Sequence, residues 1–342
     1  MKKFVTNLFN FSLIIIIPIF FCSCSIYIYL DPFKVLYNYE SFYDSTSKGS
    51  VTTDKDYIST TTFIKNSKNI DYNSFIFGNS RSIFYQIPEW KKYLKENSKC
   101  FHFDASGEAL YALNKKIEFI NQKGNSIDNV LLVLDYATLI QDKPKTGHLG
   151  MISPQLVNYS NIFDFHITFF NAFLTPKFLY AFLDFKISDQ IKPYMKEGFL
   201  LSDKKINYDV ITNELRLDDF ENLIKQEKYY NKQRLSVFYD RDTTKQIYSP
   251  ECILENQKVM LSNIKNILDK HNTNLKVIIN PLYDQLKLNK KDIAYLENLF
   301  GSDNVFDFSG INKFTNDYRN YYEASHYRPH IASDIMKKIY IE

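Results

Sequence analysis

Cysteine is scarce: the 342 residues hold four. Cys22 and Cys24 lie inside an apolar run, which leaves Cys100 and Cys252 in the rest of the chain. Two cysteines so far apart make no disulfide framework and read as buried free thiols. Histidine is almost as rare, with six. No His/Cys cluster has metal-ligand spacing, so no metal and no other cofactor is expected. An excess of charge of one sign is also missing. The formal net charge is +3 and the lysines are scattered, which excludes a nucleic-acid footprint. There is no internal repeat and no low-complexity segment. The single tryptophan, Trp90, reads as core rather than as a sugar-stacking platform.

What the chain does have is one long apolar run near its start. Lys2 and Lys3 precede an uncharged stretch from about Phe11 to Leu30. About 20 apolar residues span a bilayer core. The positive flank comes first, so the amino end stays in the cytoplasm and the rest is exported. A cleaved signal peptide is the competing reading. The run is long for that role and lacks a small-x-small exit, and Cys24 makes a poor lipidation site. The expectation is therefore an uncleaved single-pass membrane anchor, with the C-terminal domain outside the cytoplasm.

Beyond the run the pattern divides the chain. Residues 1–10 form a cytoplasmic end, 11–30 the anchor, and 31–70 a polar stalk and lead-in. The Ser45–Asp54 stretch reads as a loop. From Ser74 apolar strands alternate with helices. Strands are expected at Ser74–Phe77, Cys100–Phe103, Val130–Leu134, Leu275–Ile279 and Val305–Phe308. Helices are expected at Ala109–Ile120, Glu255–His271 and around Ile331–Ile339. Strand–helix alternation gives an α/β domain over 71–342 with a mainly parallel sheet and helices on both sides. Between about 141 and 250 the alternation is lost. Phe163–Phe185 is apolar but carries Asp164, His166, Lys177 and Asp184. It reads as an inserted helical cap, with a membrane-facing surface as the alternative.

Two motifs carry chemistry. Phe77-Gly78-Asn79-Ser80-Arg81-Ser82 comes directly after the first strand. Ligands of open parallel sheets bind beyond the carboxyl ends of the strands, which is where Ser80 falls. Glu323-Ala324-Ser325-His326-Tyr327 lies near the end of the chain and puts a carboxylate three residues before a histidine. A serine nucleophile needs a base, and the base an orienting acid. Ser80, His326 and Glu323 supply the three in that order. Taken singly, Ser80 reads better as a helix cap and Glu323/His326 as an ordinary surface pair; it is the combination that favours a nucleophile and its base. Gly107, after the second strand, offers an oxyanion N–H or makes a plain turn. Asp135 and Tyr136 close the third strand and line the same rim, or Asp135 caps the next segment. Asn79, Arg81 and Arg328 flank the motifs as substrate-binding candidates. His102, His148, His166 and His271 read as structural.

The Gly78-Asn79-Ser80-Arg81 and Glu323-x-x-His326 motifs resemble the SGNH/GDSL hydrolase superfamily, most closely its membrane-anchored bacterial branch tied to cell-surface polysaccharide modification. The resemblance covers roughly 72–342 without most of the insert. It implies a three-layer α/β/α, flavodoxin-like domain. It also implies a Ser80–His326–Glu323 triad, with the Ser80 and Gly107 N–H groups as oxyanion donors and no cofactor. The expected activity is transfer or hydrolysis of an acyl ester, with acetyl the expected acyl group, on an extracytoplasmic glycan. The implied partners are that polysaccharide and a multi-span acyl-supplying membrane protein. Two departures stand out. The acid is Glu323 where the family has Asp. The third block ends in Asp135, an ion that cannot donate to an oxyanion, where the family has an Asn. A non-catalytic glycan-binding or assembly partner is the alternative.

Overall fold

The computed structural model describes residues 2–44 and 48–341. Of the loop expected at Ser45–Asp54, residues 45–47 lie outside the described residues. The chain forms two compact units. The first takes the described residues up to Thr53 together with Asn161–Lys204, and the second takes Asp54–Ser160 and everything from Lys205. Residues 54–70, read as lead-in, are part of the second unit, and a section of the 141–250 insert groups with the N-terminal segment.

In the first unit, Lys3–Leu30 is a helix of 28 residues, apolar and long enough to cross a membrane, and its most apolar stretch is only 6% buried. Asp31 ends it in a left-handed conformation and ties down the exit, accepting from the backbone N–H groups of Val35 and Leu36 at 2.9 Å each. Two helices, Ile162–Leu174 and Pro176–Ser188, pack with this segment through aromatic rings. Phe33 stacks on Phe178 at 4.7 Å and meets Phe169 edge-on at 5.3 Å.

The second unit is built on five strands: β1 (Ser74–Gly78), β2 (Cys100–Asp104), β3 (Asn129–Leu134), β4 (Asn274–Ile279) and β5 (Val305–Asp307). All pairings are parallel, and the spatial order is β2-β1-β3-β4-β5. The strands are apolar at consecutive positions because both faces are covered. Phe75, Phe77, Val130, Leu132, Leu134, Val277 and Ile279 join one core, while Ile76, Leu131, Val133 and Ile278 join the other. The first core is closed by helices α1 (Lys55–Asn66), α2 (Leu110–Gln122), α3 (Glu255–Lys270) and α4 (Lys290–Phe300). The second is closed by α5 (Pro329–Ile341) and a group of tyrosines at Tyr321, Tyr322 and Tyr327. Trp90 is fully buried there, donating to Tyr340 Oη at 2.9 Å. Pro329 opens α5, a first-turn position where its missing N–H costs nothing. Cys100 and Cys252 are buried free thiols.

Candidate functional site

β1 delivers Ser80 through a tight exit. A Cβ on Gly78 would lie 2.7 Å from the carbonyl oxygen of Val133 and 2.8 Å from Ser82 Cβ, so only glycine fits between the strand and the returning chain. No α-helix begins here. The chain passes through a turn into one 3₁₀ turn at Ser82–Phe84, so Ser80 is not an α-helix cap and no helix dipole stands behind it.

Glu323 and His326 face each other across a hairpin. Tyr321–Glu323 pairs antiparallel with His326–Tyr327, and the two residues between them, Ala324 and Ser325, make the turn. Their spacing of three is thus the width of a two-residue hairpin loop. Glu323 Oε1 bonds to His326 Nδ1. Its other oxygen accepts from the Ser325 N–H at 2.9 Å, which fixes the carboxylate. The Phe84 ring stands edge-on to the imidazole at 5.9 Å. With its Nδ1–H donated to Glu323, the neutral ring presents Nε2 as an acceptor. Ser80 Oγ lies 2.8 Å from that Nε2. Ser80, His326 and Glu323 therefore form one hydrogen-bonded chain, half-exposed at the rim.

Beneath it lies a buried polar cluster centred on Asp135. Oδ2 of Asp135 accepts from Asn79 Nδ2 at 2.7 Å, from Arg81 Nη1 at 2.7 Å and from Asn280 Nδ2 at 3.2 Å. Oδ1 accepts from the Thr138 N–H at 3.0 Å. Burial pushes the Asp135 carboxyl up, but the Arg81 guanidinium and the bonds from Asn79 and Thr138 outweigh it and hold the group below the usual carboxylate range. Asp135 thus both caps Tyr136–Leu139 and lines the rim. Tyr136 lines the same cleft, with Ser249 and, just past the ends of β4 and β5, Asn280 and Ser309.

The remaining sequence candidates are placed differently. Asn79 gives its amide to Asp135 and to Thr138 Oγ1, and Arg81 gives its guanidinium to Asp135 and to the carbonyl of Ser325, so both serve the protein's own framework. Arg328 is paired with Glu221 through Nε at 3.0 Å and Nη2 at 2.7 Å, away from the serine–histidine contact. Gly107 sits in a turn at φ +61°, its carbonyl taken by Lys145, in a separate cleft with Asp54, Asp56 and Glu108. Among the described residues the N–H groups of Ser80 and Gly107 donate to no protein acceptor. His102 and His271 make structural bonds to the Ser82 carbonyl and to Asn121. Asn280, Thr138 and Tyr327 join the site without a sequence motif to mark their roles. Tyr327 Oη donates to Asn280 Oδ1 at 2.8 Å and so completes the support of Asp135. Position alone marks Asn280, which comes after an apolar strand just as Asp135 does. Among the described residues no group of His, Cys, Asp and Glu is arranged to hold a metal. No known family model and no curated protein sequence matches this chain.

Proposed function

We propose that the second unit is an SGNH-type serine acyl-transfer enzyme held at a membrane by the N-terminal helix. One observation carries this reading: Ser80 Oγ within 2.8 Å of His326 Nε2, with Nδ1 of the same ring bonded to Glu323. The place of the serine supports it. The strand order β2-β1-β3-β4-β5 matches the 2-1-3-4-5 order of doubly wound parallel sheets, in which ligands bind at the switch point between the first and third strands. Ser80 comes after β1 and Asp135 after β3.

Ser80 Oγ attacks the acyl carbon while its proton passes to His326 Nε2. Glu323 holds the ring's tautomer and stabilises the imidazolium. The N–H of Ser80 faces the developing oxyanion. The ester C–O bond breaks, and the imidazolium returns its proton to the leaving oxygen. A hydroxyl then attacks the acyl-serine, giving its proton to His326, and the acyl group leaves on that oxygen as the bond to Ser80 Oγ breaks and the imidazolium returns the proton to Oγ. Water as acceptor gives an esterase. A sugar hydroxyl of a surface glycan gives a transferase, the variant favoured by a fixed place at a membrane. The test is rapid mixing with 4-nitrophenyl acetate: a nitrophenolate burst, absent from Ser80→Ala, reports an acyl-serine. A burst that survives Ser80→Ala contradicts the assignment.

A further inference from the structure

The helix Ile162–Leu174 carries three strips rather than two. At 3.6 residues per turn, Phe165, Phe169 and Phe173 share one side and are buried in their own unit. Asp164, Thr168 and Asn171 form a polar strip on a second side. Phe163, Ile167 and Phe170 form an apolar strip on the third. Phe163 is 74% exposed and Ile167 41%. A polar strip beside an exposed apolar one, on a helix already packed along its remaining side, suits a boundary between water and hydrocarbon.

Contacts within the unit fix the depth. Phe170 lies 6.0 Å from Phe20 and 5.3 Å from Tyr27, both on the long apolar helix. That helix has 28 residues, about 42 Å at 1.5 Å each, and exceeds a hydrocarbon core of about 30 Å. With Lys3 at the inner boundary, about 20 residues complete the crossing, near Cys22. Phe20 then lies just beneath the outer boundary, and Tyr27 about 10 Å further along the axis.

We infer that Ile162–Leu174 is an interfacial helix that lays Phe163, Ile167 and Phe170 into the outer leaflet at the headgroup–acyl boundary. The inference rests on the membrane-spanning reading of Lys3–Leu30. The bilayer is its committed occupant because the exposed strip continues from a residue already seated on the spanning helix.

The chain has one tryptophan, Trp90, which is fully buried and gives a constant background. Phe163→Trp, Phe21→Trp and Val259→Trp full-length chains are reconstituted singly in phosphatidylcholine vesicles whose acyl chains are brominated near the headgroup. Phe21→Trp reports the spanning helix, and Val259→Trp an exposed site on α3. The expected result is quenching of Phe163→Trp at least half as deep as that of Phe21→Trp, with Val259→Trp unchanged. Phe163→Trp as bright as Val259→Trp while Phe21→Trp is quenched overturns the interfacial helix and leaves the anchor standing. All three unquenched overturns both.

Discussion

Arg81 Nε donates to the carbonyl oxygen of Ser325 at 2.9 Å, so the residue after Ser80 holds the residue before His326. The same guanidinium grips Asp135 at 2.7 Å. Two loops 244 residues apart in sequence are locked one position away from Ser80 and His326, which share a hydrogen bond. A planar fork does this, and a lysine cannot.

Arg81→Ala should therefore act on both stability and geometry. It leaves Asp135 buried without its counter-charge, a loss of about 3 kcal/mol. Arg81→Lys should recover part of the stability and little of the acylation rate. Urea unfolding and burst kinetics on the same preparations check the split. Equal recovery of both by lysine would show that Arg81 acts by charge alone.

Asp135 gives a pH signature. Its carboxyl sits below the usual range when folded. A depressed carboxylate contributes stability that is present above the unfolded value, about pH 4, and lost as pH falls through the folded one. Asp135→Asn removes that contribution. The stability gap between wild type and Asp135→Asn should be widest near neutrality, hold down to about pH 5, and shrink as pH falls further through the unfolded value and toward the folded one. Unfolding midpoints across that range are the measurement. A gap independent of pH would mean the carboxyl is not held ionised.

In the proposed triad Glu323 orients His326 and does not react. Glu323→Gln should lower the acylation rate by about 10³–10⁴, the size of loss produced by a mis-set histidine tautomer. Both side chains are more than a quarter exposed, so thermal unfolding should move by no more than about 1 kcal/mol. A rate within tenfold of wild type would remove Glu323 from the proposed triad.

Lys116 tests the framework rather than the site. It is fully buried, bonded to Glu108 and 3.1 Å from Asp56 Oδ2. Lys116→Met strands two buried carboxyls and should cost about 3–5 kcal/mol. Adding Glu108→Gln should return part of it, because one of the two stranded carboxyls is then a neutral amide. Denaturant titration of the single and double variants reads this directly.

The strands are legible in the sequence because they are buried on both faces. Runs such as Val130–Leu134 have no polar interruption, and the structure places the five strands at the expected positions. The helices α2, α3 and α5 are legible from apolar spacing. Two helices, α1 and α4, lie outside the expected set. α1 buries Lys55, Asp56, Ser59 and Thr60 against the second unit's own polar groups, so its apolar stripe is thin. The remaining signals are the caps: Asp54 accepts from Asp56 and Tyr57, and Asn289 from Lys291. Motif order suggests the convergence of Ser80 with Glu323 and His326, but it says nothing of the hairpin that sets acid against base. The polar support under the site is not legible, because Asn79, Arg81, Asp135 and Asn280 come from three strand ends whose adjacency depends on sheet order. No spacing in the sequence encodes that order.

The central claim is that His326 makes Ser80 a nucleophile. Its most direct test is reaction of the full-length, detergent-solubilised protein with a fluorophosphonate, with peptide mass mapping of the product. One phosphonyl adduct on Ser80, lost in Ser80→Ala and strongly slowed in His326→Ala, is the expected result. A folded protein that takes no adduct, or takes it at another serine with Ser80 unmodified, contradicts the account.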